Sequence, residues 1–213
     1  MSLIFDTRRA DRLYKKLSSS VPIAKTELIY NNHFELLIAV MLTAQTTDKI
    51  VNQITPSLFK KYPNPKSFIL CGETRLKHLI KRIGLAPTKS KNIIRTCHLL
   101  LKTYQGIIPK TREELVKLPG VGRKTANVVL NEAFGIPTIA VDTHVFRVAN
   151  RTGLAKGKNV LETEKKLLEI TSNKWKKDAH HYLILHGRYV CKAKNFDCSK
   201  CSIKEECQFP DKT

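Results

Sequence analysis

Lys124 and Asp142 are residues whose types and surroundings could support nucleophilic chemistry. Lys124 lies in the stretch LPGVGRKTA, residues 118–126, just inside the start of a predicted helix. The helix dipole disfavours an extra cation at that end, so we expect a lowered amine pKa and a better nucleophile. A carboxylate such as Asp142 could assist deprotonation and stabilise a cationic transition state, although it would also favour the charged amine. The simpler alternatives are a phosphate contact for Lys124 and a helix N-cap for Asp142.

The same stretch predicts a helix, a tight glycine hairpin and a second helix, over residues 111–134. Two glycines, Gly120 and Gly122, allow positive φ angles and let backbone N–H groups come close to a ligand. The start of the second helix adds unpaired N–H donors and a partial positive charge. We therefore predict an anion-binding site, suited to a phosphate group, at Gly120, Val121, Gly122 and Arg123.

Four of the six cysteines lie close together near the C-terminus, with the spacing C-x6-C-x2-C-x5-C. They are Cys191, Cys198, Cys201 and Cys207. Thiolates gathered in one short segment favour an iron–sulfur cluster or zinc. Structural zinc sites usually contain two close cysteine pairs, whereas only Cys198 and Cys201 are close here, so the spacing is unusual for zinc, and both kinds of site stay open at this point.

The basic residues of the chain are concentrated in its middle. The sequence contains 38 Lys and Arg against 18 Asp and Glu, a net charge of +20, and no acidic residue occurs between Glu73 and Glu113. The basic residues in that interval are Arg75, Lys77, Lys81, Arg82, Lys89, Lys91, Arg95, Lys102, Lys110 and Arg112. A basic run of this length that ends at the hairpin favours a nucleic-acid partner over a merely solvated surface.

No segment of the sequence resembles a secretory signal or a membrane span. The N-terminus lacks a long apolar region, and the longest strictly apolar run, residues 36–42, is too short to cross a bilayer. We therefore expect a soluble cytoplasmic protein without a membrane partner. In that reducing environment the cysteines are expected to be thiols or metal ligands rather than disulfides.

The elements that must position these residues are helices. Apolar residues recur at helical spacing along the chain and predict about ten helices and no sheet, so the fold class is all-α. Residues 136–141 are apolar and partly β-branched, and we predict an extended linker because no second strand is available to pair with them. Asp142 then stands where the N-cap of the next helix is expected.

The motif LPGVGRKTA, the tetrapeptide VDTH at 141–144 and the cysteine spacing together resemble the endonuclease III family of DNA glycosylases, over nearly the whole chain. The resemblance implies two helical domains that flank a DNA-binding cleft. The first is a six-helix domain at 25–135 that contains the helix-hairpin-helix. The second is discontinuous, with residues 1–24 and 136–213, and carries a [4Fe–4S] cluster on the loop 191–207.

The resemblance also implies base-excision repair, by a monomer that binds duplex DNA containing damaged bases. The enzyme would be a DNA N-glycosylase with AP lyase activity that removes oxidised pyrimidines. Lys124 would attack C1′ to form a Schiff base, assisted by Asp142, and β-elimination would cut the strand 3′ to the abasic site. Gln45 and Leu85 resemble the residues that fill the gap left by the extruded nucleotide.

Two other interpretations are open at this point. A monofunctional adenine-mismatch glycosylase shares the fold and the cluster, but it lacks a lysine at position 124 and carries an additional C-terminal domain. A non-catalytic helix-hairpin-helix DNA-binding module with a structural metal would need only the hairpin, the basic run and the cysteines. That module would give Asp142 no chemical role.

Overall fold

The computed structural model describes residues 6–20 and 25–212, and in those residues it contains twelve helices and no strand. The all-α prediction is therefore confirmed. The helices are α1 (Thr7–Ser20), α2 (His33–Leu42), α3 (Asp48–Lys61), α4 (Pro65–Cys71), α5 (Glu73–Leu79), α6 (Ala86–Tyr104), α7 (Arg112–Leu115), α8 (Arg123–Phe134), α9 (Thr143–Thr152), α10 (Val160–Ile170), α11 (Asn173–Lys176) and α12 (Ala179–Tyr189). None of the helices in this part of the chain has the length and apolar character that a membrane span requires.

The chain divides into two compact units. The continuous unit is Glu27–Gly135, and the discontinuous unit joins Met1–Thr26 to Ile136–Thr213. The predicted cleft between two domains stays a prediction.

The continuous unit is built around α2, whose residues 34–42 are all buried. Its N-cap is Asn32, whose side-chain oxygen accepts a hydrogen bond from the N–H of Glu35 at 2.9 Å, an interaction worth about 1 kcal/mol. Helix α2 packs against α3, α6 and α8, and α6 also packs against α4 and α5. Because α6 contacts most of these helices, it forms a rigid support for the loops at its two ends.

The discontinuous unit has its own apolar core, formed mainly by α1, α9, α10 and α12. Helix α1 buries Leu13, Tyr14 and Leu17, and the Tyr14 hydroxyl is hydrogen-bonded to Thr171 Oγ1 at 3.0 Å. The predicted linker forms neither helix nor strand, and the side chains of residues 138–141 are buried. It is not extended throughout, because the Thr138 N–H donates to the Ile136 carbonyl at 2.8 Å in a tight turn. It leads directly into Asp142 at the start of α9.

Candidate active site and cysteine cluster

The segment between α7 and α8 forms the predicted hairpin. Gly120 has a φ of +81°, and a Cβ atom built on it would lie 2.9 Å from the Asn92 side chain, so both conformation and space require glycine. Gly122 does not use the conformational freedom that glycine allows. Gly122 is the N-cap of α8 rather than part of the turn, and any residue can adopt its φ of −89°.

Gly122 suits the close approach of a ligand for a different reason. A Cβ atom built on it would have no neighbour within 4 Å, and Gly122 has no side chain to cap the N-terminus of α8. The first-turn N–H groups of an uncapped helix can bind an external anion, and the helix dipole favours that charge.

Helix α6 holds the hairpin in place. Thr96 Oγ1 donates a hydrogen bond to the Pro119 carbonyl at 2.9 Å, and the side chains of Leu118 and Val121 are buried. The N–H of Val121 donates to the Leu118 carbonyl at 3.0 Å, so it is already engaged within the hairpin. Val121 therefore stabilises the turn, whereas Gly122 and Arg123, which follow it, are exposed to solvent.

Lys124 lies in the first turn of α8 and is half-buried. It belongs to the continuous unit, whereas Asp142 belongs to the discontinuous unit. The structure thus places each residue at the start of a helix, and their joint action is a proposal.

Asp142 is the N-cap of α9, as predicted. Its Oδ1 accepts hydrogen bonds from the N–H groups of His144 at 2.9 Å and Val145 at 2.8 Å. Within the described part of the chain, Oδ2 accepts no hydrogen bond, so the half-buried carboxylate keeps one oxygen for another partner. The linker behind it is fixed because Nδ1 of the buried His180 lies 2.7 Å from the Ala140 carbonyl oxygen.

Gln45 and Leu85 lie on two loops that the structure brings together. Both residues have left-handed backbone conformations, with φ of 55° and 62°, and both side chains are exposed. The Gly84 N–H donates to Thr46 Oγ1 at 3.2 Å and so joins the two loops. Non-glycine residues adopt this conformation rarely, and such strain concentrates at functional sites.

Lys89 is a functional candidate that sequence reasoning missed, because it was counted with the DNA-facing basic residues. Its side chain is only 6% exposed. Its Nζ donates to the carbonyl oxygens of Leu42, at 2.8 Å, and Ala44, and to Thr46 Oγ1 at 3.3 Å. Burial lowers the pKa of Lys89 to about 8. The other members of the basic run are at least partly exposed.

The four predicted cysteine ligands line one cavity of about 370 Å³, counted with its open mouth. None of the four forms a disulfide bond within the described residues. In the described residues, no group of three or more His, Cys, Asp or Glu lies close enough together to hold a single metal ion. The cavity lining includes Arg151, His186, Phe196 and Phe209.

Donors around this cavity point at the sulfur atoms. Arg151 Nη1 lies 3.7 Å from Cys191 Sγ, and the Phe209 N–H lies 3.4 Å from Cys207 Sγ. Arg151 also lies over the rings of Phe196 and Phe209, at 4.3 and 5.2 Å. Burial raises the pKa of the Cys207 thiol, so a thiolate there needs a cationic group for compensation. The thiol set and its N–H donors therefore fit an inorganic group with thiolate ligands.

Known proteins of one family match most of the chain. The family model described as HhH-GPD superfamily base excision DNA repair protein matches residues 38–176. Endonuclease III of Rickettsia felis is 55% identical over 199 residues, which cover 93% of this chain and 93% of that protein. Endonuclease III of Haemophilus influenzae is 52% identical over 97% of both chains, and that of Escherichia coli K12 is 50% identical over 92% of this chain and 93% of its own.

Solved structures of related proteins also match most of the chain. A trapped covalent intermediate of endonuclease III with DNA matches with a TM-score of 0.90, at 44% identity and over 95% of both chains. A thermostable thymine-DNA glycosylase matches with a TM-score of 0.86 over 97% of this chain and 98% of its own, and its 20% identity shows the fold alone.

Proposed function

The chain belongs to the HhH-GPD superfamily of base excision DNA repair proteins, within its endonuclease III group. We propose that Lys124, Asp142 and the glycine hairpin carry the DNA glycosylase and AP lyase activity of that group. The observation that supports the proposal most directly is the position of Lys124, in the first turn of a helix that Gly122 leaves uncapped beside a glycine hairpin. The hairpin binds a DNA phosphate, and the lysine next to it attacks the sugar.

The first role of the hairpin is to position the DNA. Its N–H groups at the start of α8 bind a backbone phosphate, a contact that fixes register on the duplex without reading sequence. Arg123 is exposed beside them and adds charge. Because Thr96 fastens the turn to α6, the bound phosphate and Lys124 are held in one rigid element.

Lys124 carries the covalent step. Its neutral amine attacks C1′ and the bond from C1′ to the damaged base breaks, with the proton lost by the amine passing to the departing base. The C1′–O4′ bond then breaks, O4′ takes up a proton, and a protonated Schiff base remains on the opened sugar. The iminium makes a C2′ proton acidic, and its removal expels the 3′ phosphate, which cuts the strand by β-elimination. No water is needed for base removal in this sequence of steps.

Asp142 acts as the partner carboxylate. Since Oδ1 is engaged in capping α9, Oδ2 is the atom available to accept a proton from the amine or to stabilise the cationic sugar. The cap and the chemistry use different oxygen atoms, so the two roles are compatible.

The substrates are proposed to be oxidised pyrimidines in duplex DNA, bound by a monomer. The target nucleotide must leave the base stack, and the gap must be filled. Gln45 and Leu85 are exposed on adjacent loops and supply one polar and one apolar side chain for that gap. Gln45 would meet the orphaned base, and Leu85 would act as the wedge.

Cys191, Cys198, Cys201 and Cys207 are proposed to hold a [4Fe–4S] cluster. When bound, the cluster supplies a rigid cross-link that folds the loop 191–207. A single zinc ion fits less well, because structural zinc sites usually contain two close cysteine pairs and only Cys198 and Cys201 are close in the sequence. The loop lysines are exposed and can contact DNA phosphates; they are Lys192, Lys194, Lys200 and Lys204.

A panel of duplexes with one defined lesion tests the proposal. We expect release of an oxidised pyrimidine and a nick 3′ to the abasic site, and no release from undamaged duplex. Release of adenine from a mismatch, without a nick, would favour the adenine-mismatch glycosylase. DNA binding with neither release nor nick would favour the non-catalytic module.

A further inference from the structure

Lys89 is a buried cation without a carboxylate partner in the described part of the chain. Its Nζ contacts the carbonyl oxygens of Leu42 and Ala44 and the hydroxyl of Thr46, which use all three ammonium donors. Leu42 is the last residue of α2, so the charge lies at the negative end of that helix dipole. The acceptors stabilise the cation, although desolvation still makes a lysine costly at this position.

These contacts connect Lys89 to both gap-filling loops. Thr46 Oγ1 also accepts the Gly84 N–H at 3.2 Å, and the Lys89 N–H donates to the Leu85 carbonyl at 2.9 Å. The loops lie so close that a Cβ atom built on Gly84 would be 3.1 Å from the Gln45 carbonyl oxygen. Lys89 is therefore the side chain through which α6 fixes the loops of Gln45 and Leu85 together.

The strained backbones at these two residues require such support. Left-handed conformations of non-glycine residues persist only where the surrounding structure over-determines them. An apolar residue at position 89 would be cheaper to bury, yet it could not bind the carbonyl groups that turn inward in this loop. The chemistry of the site thus favours a role in loop conformation over a role in packing.

We propose that Lys89 is a positioning residue for the side chains that fill the gap left by the extruded nucleotide. It holds Gln45 and Leu85 in one preformed arrangement, so that both enter the duplex together. It acts through these two residues and does not contact DNA, since it is buried. The inference rests on the gap-filling function proposed for Gln45 and Leu85.

The first test compares Lys89→Met with Lys60→Met, which removes the same charge from an exposed position in the same unit. Base release is measured under single turnover at rising protein concentration. For Lys89→Met we expect half-saturation at about tenfold to a hundredfold higher protein concentration, with a much smaller change in the saturating rate. Lys60→Met is expected to follow the native chain. Equal half-saturation of the two variants would overturn the inference.

A double-mutant cycle with Gln45→Ala separates positioning from a general structural role. If Lys89 acts through the Gln45 loop, the double variant loses no more affinity for the lesion duplex than the worse single variant. Losses that multiply would show independent action and would contradict the proposal. Thr46→Val provides a second variant at a half-buried site, should Lys89→Met not fold. It removes one ammonium acceptor and is expected to shift half-saturation in the same direction, whereas native half-saturation would count against the inference.

The outcome for the native chain distinguishes the two proposals. If the native chain releases no oxidised pyrimidine, the proposed function fails. If the native chain is active and Lys89→Met matches Lys60→Met, only the positioning role of Lys89 fails.

Discussion

Asp142 Oδ1 accepts the N–H of Val145 at 2.8 Å, so the proposed catalytic carboxylate is also the N-cap of α9. A carboxylate held in this way cannot rotate freely, and its second oxygen has a fixed direction relative to the helix. The cap thus positions the group for chemistry. The two roles can be separated because asparagine caps helices as well as aspartate does but carries no charge.

The first prediction concerns Asp142→Asn and Asp142→Ala. Asparagine should preserve the cap and the unfolding free energy, while alanine should lose about 1 kcal/mol of stability. Both variants should lose about a hundredfold or more in base release, because both lack the carboxylate. Urea unfolding and single-turnover kinetics measure the two effects. Native-like activity of Asp142→Asn would show that the residue is a cap only.

The second prediction separates the hairpin glycines. Gly120→Ala should destabilise the protein by at least about 1–2 kcal/mol, because alanine is strained at positive φ and its Cβ would meet Asn92 at 2.9 Å. Gly122→Ala has room and an ordinary φ, so it should lose only about 0.5–1 kcal/mol, because alanine is a poorer N-cap than glycine, while its DNA affinity falls. Thermal unfolding and DNA titration provide the measurements. Unchanged DNA affinity of Gly122→Ala would argue against close phosphate approach at this position.

The third prediction concerns acid stability. Burial, assisted by the charge of Arg188, lowers the pKa of His181 to about 4 from its ordinary 6.5. Between these values the unfolded chain binds the proton and the folded chain does not, so the unfolding free energy decreases as pH falls from 6.5 to 4. The loss of unfolding free energy from this residue is at most about 3.4 kcal/mol.

His181→Gln removes this titration and serves as the comparison. Its unfolding free energy should decline less steeply than that of the native chain between pH 6.5 and 4, as measured by urea unfolding at each pH. Parallel pH profiles for the two proteins would show that His181 does not contribute to acid sensitivity.

The fourth prediction concerns the cysteine cavity. The native chain should bind about four iron atoms and show iron–sulfur visible absorption. Cys201→Ser should reduce both, whereas Cys97→Ser provides a matched control, since Cys97 is a buried thiol of the continuous unit. Iron analysis and absorption spectra are independent of enzyme activity. One zinc per chain, without iron, would contradict the cluster.

Much of the fold could be predicted from local sequence signals. The N-cap role of Asp142 and the helices on both sides of the hairpin depend on neighbouring residues, and the structure confirms both. The sequence does not show which of the two glycines, Gly120 or Gly122, adopts the positive φ of the turn. The burial of Lys89 could not be predicted, since its acceptors are more than forty residues away in the sequence. The same holds for the proximity of the Gln45 and Leu85 loops.

The most direct test of the central proposal is borohydride trapping on a duplex that contains one oxidised pyrimidine. The native chain and Lys124→Gln are compared under identical conditions, with DNA binding measured for both. We expect a covalent protein–DNA adduct from the native chain alone, because only Lys124 provides the amine of the Schiff base. Base release by the native chain without any adduct would indicate a hydrolytic glycosylase and would contradict the lysine mechanism. An adduct of equal yield from Lys124→Gln would place the Schiff base on another residue.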